Sequence, residues 1–373
     1  MKLSIFSMLL VWVVLFPVRN ENYLIVGTYD SVKSEGIYVY KFNSSDASYK
    51  EVSHFKTSNP SFVTVSPNGK FVYAVNENAK DGNGGEVSVF AFNKETGILS
   101  FINKQFSGGD HPCYVEIDKT GKWVIVANYS SGSLAVLPVN RDGSLGTAST
   151  IITDHGSGKI AERQNGPHVH CTKLSADNRW LFVPDLGTDK VMIYAFDAAT
   201  GKLTPAKKPF TASPPGSGPR HFIFSPNNKY AYLVAELSGT VETYAYNNGS
   251  LKQVQRISTL PKNDTVFAGS ADIHISADGK FLYASNRGGS NTIAIFKINP
   301  GNGTLSAIGH QSTLGMAPRN FNFDPTENFL LVGNQNSDEI VIFKRNKQTG
   351  LLTDTGKRIN VGKPVCLKWI IPE

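Results

Sequence analysis

The chain has 373 residues, of which 40% are hydrophobic and only 18% charged, with 34 glycines, 19 prolines, 14 tyrosines and 22 phenylalanines. No stretch is polar or biased enough to stay disordered, and the profile is that of a turn-rich all-β protein. The formal net charge of +7 is not gathered into Lys/Arg runs, so it argues against nucleic-acid binding while favouring anionic ligands.

The first segment stands apart. After Met1 and Lys2, residues 3–18 are almost wholly apolar and are followed by Arg19-Asn20-Glu21-Asn22. A single basic residue before a short apolar run predicts a signal peptide over about residues 1–20, with an uncleaved anchor as the alternative. The remainder, 21–373, is expected to be secreted, free of the membrane once mature, and monomeric. Five Asn-x-Ser/Thr sequons, at Asn43, Asn128, Asn248, Asn263 and Asn302, fit an exported glycoprotein, with Asn128 doubtful because it falls near the ligand face. Cys113, Cys171 and Cys366 make one pair at most and contain no Cys-x-x-Cys, so they are read as small buried apolar residues.

One phrase then recurs six times. It runs from Ser66 to Asn76, Asp118 to Asn128, Ser175 to Asp185, Ser225 to Ala235, Ser276 to Asn286 and Asp324 to Asn334. The starts are spaced by 52, 57, 50, 51 and 48 residues. In each copy an apolar strand meets a Pro/Asn/Gly turn, a second and a third strand follow, and a Thr-Gly or Asn-Gly hairpin leads to a fourth. Four antiparallel strands per 50 residues is a propeller blade. Residues 23–27, 36–42 and 50–54 supply three strands of a seventh blade, and 364–371 its first, which makes Trp369 and Ile371 structural. The fold predicted is all-β, a seven-bladed β-propeller closed by strands from both termini, which leaves no open edge.

Within a blade the first strand starts, and the second ends, on one face of the disc. Residues at those two places converge around the channel mouth, and the polar ones that do not repeat are the functional candidates. Five residues before the turn Ser/Asp stand Ser61, Cys113, His170, Arg220, Ala271 and Arg319; eleven after it stand Glu77, Tyr129, Leu186, Glu236, Arg287 and Gln335. His111, His168, His221, Asp272, His274, Asn286 and Asn320 lie nearby, whereas His155 and His310 read as surface residues. So many ionisable groups at one mouth call for a polar ligand or ordered water.

Asn165-Gly-Pro-His-Val-His170, Gly218-Pro-Arg-His221 with Glu236-Leu237, Ala271-Asp-Ile-His274, Asn286-Arg287 and Ala317-Pro-Arg319 resemble the propeller-type lactonase family. The family includes bacterial 6-phosphogluconolactonases and fungal carboxymuconate lactonising enzymes. The resemblance spans the mature chain and places the active-site set on His170, Arg220, Glu236 and Arg287, residues that the register also selects. It departs in the leader, since those phosphogluconolactonases work in the cytoplasm.

The expected reaction is hydrolysis of a small anionic sugar-acid lactone. Arg220 and Arg287, with Arg319, would hold the anion and the developing oxyanion. His170 and Glu236 would share the acid and base duties, Glu236 being raised towards neutrality by burial. His221, His274 and Asn286 join Arg319 as expected substrate-binding residues. No metal and no cofactor is expected. The alternatives are a muconate-type lactonising cyclisation on the same Arg clamp, and a non-enzymatic secreted propeller that binds a ligand or partner.

Overall fold

In the computed structural model, which describes residues 21–79 and 84–372, each recurring phrase folds as its residues dictate. The Ser or Asp that opens it accepts the amide hydrogen of the residue five positions on. The pairs are Ser66–Phe71, Asp118–Trp123, Ser175–Trp180, Ser225–Tyr230, Ser276–Phe281 and Asp324–Phe329, at 2.6 to 3.0 Å. A side-chain acceptor of this kind closes a turn locally. The third residue after it is left-handed in every copy, from Asn228 at φ 55° to Gly279 at φ 69°. Five of the six are Gly or Asn, which tolerate that region. Glu327 is the sixth, and it is held there by Arg345 at 3.0 Å.

Seven four-stranded antiparallel sheets result. Blades 1 to 6 take their first strands from Val63–Val65, Pro112–Ile117, Lys173–Leu174, Pro219–Phe224, Ser270–Ile275 and Pro318–Phe323. Blade 7 joins Pro364–Ile370 to Glu21–Thr28, Gly36–Asn43 and Tyr49–Lys56, so the ring closes with strands from both ends as the repeat requires. Trp369 packs on Phe42, with ring centres 5.2 Å apart, but Ile371 is 62% exposed and lies just past the strand, so it is not a core residue. The expected leader lies outside the described residues. Among the described residues no helix is long and apolar enough to cross a membrane.

Neighbouring blades are locked by one recurring contact. Trp123 of blade 2 lies flat on Gly201 in the outer hairpin of blade 3, and its indole N–H donates to Ala198 O at 3.1 Å. A Cβ on Gly201 would stand 2.5 Å from the indole, and its φ of 72° disfavours any side chain. Tyr230 of blade 4 repeats the arrangement on Gly303 of blade 5, with its hydroxyl on Gly301 O at 2.8 Å. Phe71, Trp180, Phe281 and Tyr23 do the same on the hairpins at Gly143, Gly249, Gly350 and Gly97. Between blades 6 and 7, Phe329 shares its cluster with Ala47. The aromatic column of the phrase and the hairpin glycine are therefore two halves of one joint.

All three cysteines are free and buried, as their reading as small apolar residues requires. Asn128 is fully buried, with its amide on Ser107 O and Ser133 Oγ, and has no room for a glycan in the folded chain. Gly201→Ala should lower the unfolding free energy by about 1–3 kcal/mol, the cost of strain at a left-handed position closed by a ring. Urea denaturation measures it, and a wild-type midpoint would show that the joint carries no stability.

Candidate active site

A repeated irregularity gathers the site. The pairing of first and second strands slips at Pro112/Tyr114, Pro219/His221 and Pro318/Asn320, leaving Cys113, Arg220 and Arg319 as bulged residues. In a regular strand, neighbouring side chains point to opposite faces; a bulge re-aims one of them. Arg220 and His221 thus both turn to the channel, Arg220 towards the mouth and His221 one level deeper. Blade 3 reaches the same place differently. Its Pro184 accepts from His170 N at 3.0 Å but has no N–H to return, so the His170 carbonyl is left to the Cys113 thiol at 3.7 Å.

The centre of the site is the Glu236 carboxylate, 5% exposed. Its Oε1 accepts from Arg163 Nη2 at 2.6 Å, and its Oε2 forms an ion pair with Arg287 Nη2 at 2.7 Å. Arg220 Nε stands 3.4 Å from Oε2, close enough for attraction, yet this buried N–H has no aligned acceptor. Arg220 Nη1 instead donates to His170 Nε2 at 2.7 Å. A guanidinium only donates, so Nε2 carries a lone pair and the imidazole is neutral, with its proton on Nδ1, 3.6 Å from Cys113 Sγ. Tyr129 packs edge-on to His170 and flat on His168. Across the pocket Tyr29 donates to Glu77 Oε2 at 2.7 Å, and the Arg319 guanidinium lies over the Tyr29 ring, 3.9 Å from Glu77.

These groups enclose an inner chamber of about 170 Å³ whose walls include Glu77, His170, Glu236, Arg287 and Arg319. It opens into an outer chamber of about 420 Å³, which shares Arg163, Glu236, Arg287 and Arg319 and adds Phe267, Gln335 and Asn336. Four guanidiniums face two carboxylates here, a formal excess of two positive charges. Burial and these charges together set the proton affinities. Burial and the positive charge of Arg220 and Arg319 hold the His170 imidazole well below its usual range. Burial, with Arg287 and Arg319 nearby, brings Arg220 down to about 9. Burial alone would raise Glu236, but Arg287, Arg220 and Arg163 outweigh it and keep the carboxyl at about 2.

The structure brings His170, Arg220, Glu236, Arg287 and Arg319 together and corrects the expectations around them. Glu236 is a fixed carboxylate, not one raised towards neutrality, because three guanidiniums oppose the desolvation. His221, His274 and Asn286 do not line the pocket. His221 Nδ1 sits 2.8 Å from Asp272 Oδ1 deeper in the channel, against Tyr114 and Phe62, and there burial lowers it to about 4. His274 binds the other oxygen of Asp272 at 3.0 Å. Asn286 is fully buried and ties down a loop through Thr259 O, as Asn128 and Asn334 do in their own blades. His155 is exposed as expected, but His310 is half-buried on Thr259 O.

Two site residues escape the register. Tyr29 occupies the after-strand position of blade 7, hidden because that blade is split between the termini. Arg163 belongs to a short helix, Ala161–Gln164, inserted before blade 3 and pinned by buried Gln164 to Leu186 O and Asp189. The 57-residue spacing, the longest of the five, was its one trace in the sequence.

The comparisons agree with this geometry. A family model described as "Lactonase, 7-bladed beta-propeller" matches residues 23–369. The chain is 41% identical over 333 residues to a 6-phosphogluconolactonase of Formosa agariphila, covering 88% of this chain and 94% of that one. It is 37% identical over 348 residues to a 6-phosphogluconolactonase of Bacillus subtilis, covering 92% and 97%. The solved periplasmic gluconolactonase of Pseudomonas aeruginosa superposes with a TM-score of 0.90 at 38% identity, covering 95% of this chain and all of that one. A propeller closed across its termini, a guanidinium-lined mouth and relatives matched over nearly their whole length lead to one assignment: the chain belongs to the lactonase family of seven-bladed β-propellers.

Proposed function

We propose that the chain hydrolyses an anionic sugar-acid lactone of the 6-phosphogluconolactone type. The observation that carries this reading is the uncompensated positive charge: four guanidiniums on two carboxylates around a neutral imidazole. Inorganic counterions satisfy such a site weakly, whereas a substrate with a phosphate or carboxylate satisfies it bidentately. The names of the relatives in Formosa agariphila and Bacillus subtilis support the same substrate class.

In this reading Arg220, Arg287, Arg319 and Arg163 receive the anionic group and the oxyanion that forms as water adds to the carbonyl. Glu236 carries no proton; it spaces three guanidiniums that would otherwise repel. His170 Nε2 takes the proton from water as the C–O bond forms, then returns it to the ring oxygen as the lactone bond breaks. Lactone and water give the hydroxy acid, and the imidazole ends neutral. Arg220 Nη1 caps Nε2. An arriving anion competes for that guanidinium and offsets the charge that depresses the imidazole, so substrate raises the basicity of its own base. A second reading has Glu77 as the base, because it is the pocket carboxylate not fastened by three guanidiniums. The exported, glycosylated state read from the sequence belongs to this proposal too, and the periplasmic gluconolactonase supports it by name. Fractionation of cells expressing the full chain tests it; a wholly cytoplasmic product would oppose it.

Arg220→Ala is expected to lower kcat/KM for 6-phosphogluconolactone by about 10²–10³-fold with an unchanged melting temperature. His170→Asn should lose about 10²–10⁴-fold. Should Glu77→Gln lose that much while His170→Asn stays active, the base is Glu77. Full activity in Arg220→Ala would sink the clamp.

The pH profile provides a separate check. A base works only unprotonated, so activity is lost as pH falls through the lowered pKa of His170, and the acid limb lies below 6.5. The kcat/KM profile reports this free-enzyme group. An acid limb above pH 6.5 would contradict the electrostatics.

A further inference from the structure

The outer chamber carries a feature that proton transfer and charge do not explain. Phe267 lines it and is 54% exposed, the most exposed phenylalanine among the described residues. The same face bears Val266 at 42%, Leu314 at 46% and Met316 at 58%, all on the two loops that lead into blades 5 and 6. A single exposed apolar side chain needs no explanation, but a group of them beside a charged pocket marks a binding surface.

These loops are fixed in place. Gly288 N donates to Ala268 O at 2.8 Å and Gly289 N to Phe267 O at 3.0 Å, zipping the Phe267 segment to the one that carries Arg287. A Cβ on Gly288 would stand 1.6 Å from Phe267 O, so no side chain fits there and the backbones stay in contact. Arg287 Nε also donates to Gly269 O at 3.0 Å. Opposite, Leu314 and Ala317 hold left-handed φ of 56° and 58° without being glycine, and Ala317 is pinned by Asn291 at 2.7 Å. Strain kept at a ligand-facing loop is a mark of preorganisation.

We infer that Phe267 is a specificity-determining residue, the wall against which the ring of the bound lactone lays its C–H face. The inference rests on the lactonase reading above. Arg163, Arg287 and Arg319 border both chambers, so a ring at their junction directs its carbonyl edge inward to His170 and its anionic arm to the guanidiniums. Its remaining face then meets Phe267, with the carboxamides of Gln335 and Asn336 at the rim for its hydroxyls. An apolar wall with a few placed polar groups is the usual make-up of a small-molecule site. Charge selects the anion and Phe267 selects the ring.

The test compares wild type, Phe267→Ala and Phe267→Tyr by initial rates on 6-phosphogluconolactone above its spontaneous hydrolysis, with inorganic phosphate as competitive inhibitor. The expected result is a three- to tenfold rise in KM for Phe267→Ala, about the worth of one aromatic face. Its kcat stays within about twofold, its phosphate inhibition constant is unchanged, and Phe267→Tyr restores KM. An unchanged KM overturns the inference and leaves the lactonase reading standing. Equal weakening of phosphate, or no rescue by Tyr, also overturns it, because Phe267 would then act only by supporting Arg287. A wild type that turns over no lactone defeats the lactonase reading, and this inference falls with it.

Discussion

The ring of one blade seated on the hairpin glycine of the next is the constraint on which the molecule depends. Each blade is a small sheet that cannot bury its faces alone, and stacking neighbours around an axis buries them only if every blade keeps the same tilt. The seated aromatic sets that tilt by steric exclusion, since nothing larger than hydrogen fits beneath Trp123 or Tyr230. A polar hydrogen, where the ring has one, then fixes its azimuth on a hairpin carbonyl. Residues as remote in sequence as Tyr29 and Arg319 reach one pocket because six such joints, with Phe329 beside Ala47 at the seventh, leave the loops almost no freedom.

Rigid placement is what allows the mouth to hold a charge arrangement that a looser protein would relax away. Two like charges about 4 Å apart repel by roughly 1 kcal/mol in water and about 4 kcal/mol at the effective dielectric of a protein surface. Four guanidiniums can share one mouth only because Glu236 binds two of them directly and attracts a third, and because Tyr29 and Glu77 occupy the fourth. The compensation is uneven: burial and then the neighbouring guanidiniums lower His170 and Arg220, whereas Glu236 holds Arg163, and Tyr29 with Glu77 holds Arg319, above the usual arginine value. In the proposed reaction a bound anion supplies the missing compensation, so that binding and activation of the base are one electrostatic event.

Most of the fold was legible because it is periodic. The turn Ser/Asp, the aromatic and the hairpin glycine recur, and each recurrence has one local physical cause. The site was legible for the opposite reason: His170, Arg220, Glu236, Arg287 and Arg319 break a column. Asn286 belongs to a column that repeats as Asn76, Asn128 and Asn334, and such repetition marks framework. His221 and His274 were misplaced because period-two alternation gives no warning of a bulge, and the bulge decides which residue faces the mouth and which the deeper channel. Arg163 stands on an insertion outside the register. The direction of the Glu236 shift was beyond composition or spacing, because it depends on three guanidiniums outweighing burial at one carboxylate.

The separation between repeated and unrepeated positions also explains how one scaffold carries different chemistry. The joint residues lie at the outer hairpins and in the blade interiors, while the charged residues lie at strand ends on the opposite side of the bulge. A substitution at Arg220 or Glu236 changes the field in the pocket without touching a joint, and a substitution at Gly201 strains a joint without touching the field. Contacts that far apart add nearly independently. Stability and the field of the mouth are thus written in different columns of the same repeat, and the mouth gathers its charges without loosening the ring that holds them.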